Sequence, residues 1–165
     1  MSFLREFEDL ESFAIHLAAR ELALRERLAN GLEEALVILE KDMKDQVGHY
    51  QDQVGQFPAW APLADSTEAE KARLGAPAEA PLLRHGALYA SFEHSRSGDE
   101  GVVGSTDPTM VYHEFGTDRM PPRPIIGPAV VRNRERIERL FGKVVLEGIL
   151  GGEVVPDGRY FEGGD

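Results

Sequence analysis

The chain of 165 residues has no cysteine, so no disulfide can staple it and no thiolate can hold a metal or act as a nucleophile. Its fold must rest on burial alone. It also lacks any apolar run approaching the roughly 18 residues that a membrane-spanning helix needs. Its first residues, with Glu6, Glu8, Asp9 and Glu11, lack the basic-then-apolar order of a secretory signal, which predicts a chain made and used in the cytoplasm. Positive charge is scarce, 18 Lys and Arg against 29 Asp and Glu for a net charge of −11. That balance argues against general affinity for nucleic acid, which draws on a surplus of cations. No glycine-rich loop leads into a helix with a lysine, and Ser91 and Ser105 lack the glycine-flanked elbow of a serine nucleophile. Nucleotide binding and serine chemistry are left without residues to carry them.

What is present suits one folded domain: 42% of the residues are apolar and 8% aromatic, enough for a core at this length. The predicted organisation is a single domain over residues 1–147. Within it, residues 1–50 form a helical arm, 51–81 a loop excursion, and 82–147 a sheet and a C-terminal helix. A glycine-rich tail over residues 148–165 is expected to be loose or ordered only by a partner.

The arm is free of proline and rich in Leu, Ala, Glu and Arg. At 100° per residue Leu32, Leu36, Leu39, Met43 and Val47 fall on one stripe, and Phe3, Phe7, Leu10, Ala14 and Leu17 repeat the pattern less strictly. Asn30-Gly31 is where a break is expected, giving two helices or one bent one. In the excursion Trp60 is the expected anchor, and Ser66 or Thr67 is expected to cap a short helix that Gly75 and Pro77 end. Residues 82–89 read as a short helix, Phe92 to Arg96 as a strand, Ser97-Gly98-Asp99 as a turn, and Val102 to Ser105 as the returning strand. Met110-Val111-Tyr112 reads as a further strand. The last helix is expected to start after Pro128 and to run to about Glu147, with Val130, Ile137, Leu140, Phe141 and Val144 on one face. Arg132, Arg136, Arg139 and Lys143 lie on the other. The fold class is therefore α+β: a helical N-terminal arm, a small antiparallel sheet, and an amphipathic C-terminal helix packed on it.

Charge is distributed unequally. Residues 1–50 carry six basic and eleven acidic side chains, whereas residues 119–143 carry seven basic and two acidic ones. Opposed ends of this kind suit contacts between copies of a chain or with a partner, where complementary patches set register. The arginine face of the last helix has two readings, phosphate contact and pairing with an acidic protein face.

The segment His113-Glu114-Phe115-Gly116-Thr117 invites comparison with the zinc-peptidase helix, in which two histidines one turn apart flank a catalytic glutamate. Position 117 is Thr, so the second ligand is missing, and a zinc site needs three or four converging ligands. His16, His49, His85 and His94 show no paired spacing. The sequence thus supplies no catalytic residue, no metal site and no cofactor site. His113 and Glu114 are expected to make local hydrogen bonds at a strand end, with Gly116 in a turn. Prolines at 121, 122 and 124 hold an extended backbone that cannot join a central ladder, so this segment belongs at a sheet edge or on the surface. Phe115, Met120, Ile125 and Ile126 are apolar, and Arg119 and Arg123 charged, a mix that fits either an interface or a rigid connector within the domain.

Tyr112-His113-Glu114-Phe115-Gly116-Thr117, followed by Arg119-Met120-Pro121-Pro122-Arg123-Pro124-Ile125-Ile126-Gly127-Pro128-Ala129, resembles the tail-completion, neck and virion-morphogenesis proteins of long-tailed bacteriophages. Weaker echoes stand in order: Trp60-Ala61-Pro62-Leu63 with Thr67 and Lys71, then Leu82-Leu83-Arg84 with Gly86, Leu88 and Ser91, then Val103-Gly104-Ser105. The resemblance implies a structural virion protein, not an enzyme, that joins the tail to the DNA-filled head, with tail terminator as the alternative station. It further implies a ring, sixfold, that contacts connector, adaptor or stopper proteins and the tail tube. DNA would pass through its lumen without sequence-specific binding, and no membrane would be involved. The chain would be assembled in the host cytoplasm and reside in the virion. The interface residues this reading selects are Tyr112, His113, Glu114, Phe115, Gly116, Thr117, Arg119, Met120, Arg123 and Ile125, with Arg132, Arg136 and Arg139 on the last helix. Two other classes remain: a metal-dependent hydrolase using His113 and Glu114, and a DNA-binding accessory factor using the arginine face.

Overall fold

The computed structural model describes residues 9–150. Phe3 and Phe7 of the first apolar pattern, and residues 151–165 of the expected tail, lie outside the described residues. The fold is α+β, five helices and one two-stranded antiparallel sheet among the described residues.

Helix α1 runs without interruption over Leu10–Gln46, about 55 Å at 1.5 Å per residue. Asp9 caps it by accepting the Ser12 amide hydrogen at 2.7 Å, which satisfies one of the unpaired first-turn donors. The expected break at Asn30-Gly31 does not occur. Gly31 is buried, and a Cβ there would stand 3.1 Å from Val144 Cγ2 of the last helix. The glycine serves close helix approach, which a sequence cannot distinguish from a stop. Val47, with extended backbone, ends α1, and the Gly48 amide donates to the Pro81 carbonyl at 2.9 Å.

Residues 51–81 are more ordered than a plain excursion. Trp60 is buried as expected. Helix α2, Asp65–Arg73, starts earlier than either hydroxyl predicts, so Ser66 and Thr67 lie inside it and make no cap. Asp65 and Glu68 complement the helix dipole in the first turn instead. Lys71 is buried and gives its ammonium to the Ala80 carbonyl. The helix expected over residues 82–89 shrinks to α3, Ala87–Ala90, because Leu82 sits at φ +62° and interrupts any helix through it.

Strands β1, Phe92–Ser97, and β2, Glu100–Ser105, pair from Phe92 opposite Ser105 to Ser97 opposite Glu100. Gly98, at φ +60°, takes the first of the two turn positions, as type II′ hairpins require. The strand expected at Met110-Val111-Tyr112 is instead helix α4, Met110–Phe115. Asp107 accepts the Thr109 amide at 2.8 Å and the Tyr112 amide donates to the Thr109 carbonyl at 3.0 Å. This local turn outcompetes the β propensity of the segment.

Helix α5, Ile126–Leu150, begins two residues before Pro128 and takes in residues 148–150 of the expected tail. It lies antiparallel along α1, since Asp42 meets Arg132, Gly31 meets Val144, and Arg20 meets the Gly148 carbonyl. Val130 is exposed, contrary to the helical-wheel expectation. The packed seam instead runs through the buried Ala129 and Asn133 to Ile137, Phe141 and Val144, and Val130 falls just outside it. One core joins the elements: Met43 and Val47 of α1, Trp60, Leu88, Phe92 of β1, Met110 of α4, Ile125, and Ala129 of α5. Through Phe92 and Val103 on one side and Ile126 and Ala129 on the other, the C-terminal helix packs against the sheet. Complete burial of Phe92, Met43 and Ile125 contributes about 1.5–3 kcal/mol each.

Candidate functional site

Residues 110–129 form one braced unit. Helix α4 ends at Gly116, whose φ of +73° and ψ of −179° turn the chain outward. Thr117 and Met120 then close a tight turn through two backbone hydrogen bonds of 2.8 and 3.2 Å. The chain returns along the prolines, and the Arg123 amide donates to the His113 carbonyl at 2.6 Å.

Glu114 has a role that the sequence reading did not assign. Its carboxylate accepts amide hydrogens from Ile125 at 2.9 Å, Ile126 at 3.3 Å and Gly127 at 3.2 Å. Those are the donors at the start of α5 that have no helical partner. The next residue, Pro128, has no amide hydrogen to satisfy, and the Ala129 amide already donates to the Ile125 carbonyl at 3.0 Å. A carboxylate from another helix therefore caps α5 completely. The signal was present in part: a helix starting at Ile-Ile-Gly-Pro has no side chain of its own that can cap it, so an outside acceptor was needed.

Arg123 is buried and donates to the Ala61 and Pro62 carbonyls at 2.9 and 3.1 Å. It has no carboxylate partner among the described residues, and burial lowers its pKa. Ile125 is wholly buried in the core. Arg123 and Ile125, predicted as interface residues, are thus anchors of the chain's own interior, and Met120 is half-buried. His113 is also half-buried; burial first, and then the Arg123 cation, hold its pKa below the ordinary value, against a smaller opposing pull from Asp107. Tyr112, Phe115, Thr117 and Arg119 remain exposed on the outer side of the brace, Phe115 at 79%.

The arginine face of α5 divides in the same way. Arg132 turns inward to Asp42, with its closest contact at 2.7 Å, and to the Gln51 side chain at 2.8 Å, so it ties α5 to α1 within one chain. Arg134 pairs with Glu138 at 2.8 Å and Lys143 with Glu147 at 3.6 Å. Arg136 and Arg139 are exposed and form no ion pair among the described residues.

Compared with known protein families, curated proteins and solved structures, the chain finds no match. Among the described residues no group of three or more His, Cys, Asp or Glu side chains is arranged to hold a metal. No helix among them is long and apolar enough to cross a membrane. The Glu114 carboxylate is committed to three amide hydrogens, and the His113 ring lies beside the Arg123 cation.

A second polar cluster, also unforeseen, ties the hairpin to α1. The His94 ring meets Glu40 through Nδ1 and Glu33 through Nε2, the latter at 3.0 Å, while Arg96 approaches Glu33 at 3.4 Å and Lys44 pairs with Glu40. The hydrogen bonds to Glu40 and then Glu33 raise the His94 pKa, and Glu40, bonded to Lys44 and then His94, is lowered. A histidine raised above its unfolded value of about 6.5 contributes stability that is full below that pH and is lost as pH rises through the folded-state value. His94→Gln should therefore cost about 1 kcal/mol at pH 6 in urea unfolding, and clearly less at pH 9. A penalty independent of pH would show that the imidazolium charge does not hold the hairpin.

Proposed function

We propose that this chain is a structural subunit of a long-tailed phage particle, a tail-completion or neck protein that forms a ring and joins the tail to the DNA-filled head. The observation that carries the reading is the brace of residues 110–129. The run that bears the resemblance is held rigid from inside by Glu114, Arg123 and Ile125, and it presents Phe115, Tyr112 and Arg119 outward. A preorganised surface of exposed aromatics and an arginine with no ion pair among the described residues is what a binding anchor requires, because ordering costs are met before association. Assembly, with no bond made or broken, is the proposed mechanism. The ring would contact connector, adaptor or stopper proteins on the head side and the tube protein on the tail side. An acidic total of −11 would keep DNA in its lumen from binding tightly.

The deciding experiment is electron microscopy of a lysate from a phage whose copy of this gene carries a conditional stop codon. DNA-filled heads lying apart from finished tails are expected. Overlong tails would move the proposed station to tail terminator. Complete, infectious particles would sink the assembly reading.

A further inference from the structure

Beside the brace lies a cleft of about 360 Å³. Tyr50, Trp60 and Pro62 give it aromatic and proline walls, and Asp52, Glu68 and Glu79 give it an acidic lining. None of the three carboxylates is in an ion pair among the described residues; Lys71, which Glu68 faces, spends its ammonium on the Ala80 carbonyl. Tyr50 is fixed in place by the Leu63 amide, which donates to its hydroxyl oxygen at 2.9 Å. Two further lining side chains, Gln51 at 4% and Trp60 at 6% exposure, are nearly buried and form its floor. The cleft is therefore short of a cation.

Those features define the occupant. Aromatic walls and an acidic lining together fit a proline-bearing segment with a basic side chain. The chain itself displays such a segment: Arg119, Pro121 and Pro122 are exposed, and Arg119 forms no ion pair among the described residues. We infer that the acidic aromatic cleft of one copy receives residues 119–122 of a second copy, with Arg119 against the Asp52, Glu68 and Glu79 carboxylates. Proline-fixed backbone loses little entropy on docking. The contact is heterologous, one surface meeting a different one on its neighbour, which is the kind of interface a closed ring repeats. The inference rests on the ring-forming reading in taking the partner to be this same chain.

Two measurements on the full chain test it. In sedimentation velocity, Arg119→Glu should weaken self-association about tenfold or more, and combining it with Glu79→Arg should recover most of the loss. Because the natural chain has no cysteine, a mixture of Arg119→Cys and Asp52→Cys chains, one carrying a mass tag, should form a mixed disulfide dimer on oxidation. Its yield should be several-fold that of Arg119→Cys mixed with Ser97→Cys at the far hairpin tip. A chain that stays monomeric, association indifferent to Arg119→Glu, or equal yields from both cysteine mixtures would overturn the inference. Detached heads and tails in the stop-codon lysate alongside any of those results would leave the assembly reading standing, and intact particles alongside a specific mixed dimer would remove that reading alone.

Discussion

Replacing Gly116 by alanine is expected to lower the unfolding free energy by about 3 kcal/mol and the melting temperature by about 6–12 °C. Two independent costs combine. The backbone at φ +73° and ψ −179° lies in a region that only glycine enters readily. A Cβ there would also stand 2.9 Å from the Met120 carbonyl oxygen and 2.9 Å from the Pro122 nitrogen. Both are backbone atoms, and the two hydrogen bonds between Thr117 and Met120 fix their turn, so no side chain can swing aside. Urea unfolding of the wild-type and G116A chains measures the difference. A loss below about 1 kcal/mol would mean that the turn re-forms elsewhere, and that residues 116–122 are less firmly braced than their hydrogen bonds imply.

Loss of the Glu114 cap should be nearly as damaging. Glu114→Ala leaves the Ile125, Ile126 and Gly127 amides, all partly buried, without acceptors. Removing an N-terminal cap costs about 0.5–2 kcal/mol, and each donor stranded away from water adds to that, so about 2–3 kcal/mol is expected. Glu114→Gln keeps one acceptor oxygen in the same place and should lose about half as much. Denaturant unfolding of the pair separates hydrogen bonding from charge: equal losses in the two variants would assign the effect to the helix dipole. No loss in either would refute the cap.

The α+β class, the hairpin and its turn, the Trp60 anchor and the existence of both long helices were legible in the sequence, because each rests on local periodicity or on residues that punctuate it. Gly31 misled for an opposite reason: the same absence of a side chain serves a helix stop and a close helix crossing, and only the position of Val144 decides between them. Met110-Val111-Tyr112 has strand-forming side chains, yet the Asp107 turn starts a helix there. In the candidate site the exposed residues Tyr112, Phe115 and Arg119 were picked out together with the buried Arg123 and Ile125. Apolar or charged identity says that a side chain needs a partner, and says nothing of whether the partner is in the same chain. The Glu114 cap, the His94 cluster and the acidic cleft all depend on residues brought together from distant parts of the chain, which no spacing rule reaches.

Helix α5 is held at both ends from outside itself, by Glu114 at its first turn and by Arg20, which donates to the Gly148 and Ile149 carbonyls at 3.4 and 3.2 Å. Its middle is tied to α1 by Arg132 and Asp42, 90 residues apart in sequence. During synthesis α1 is complete long before its partner exists. At about 5–20 residues per second, the interval before α5 emerges is on the order of 5–20 s. Throughout that interval the face of α1 that packs on α5, around Gly31, has no α5 to cover it, and Leu10, still 85% exposed in the finished fold, lies on the same helix toward the N-terminus. The newborn chain is therefore most adhesive before it is folded, and in a crowded cell its yield depends on how quickly the last helix closes over the first.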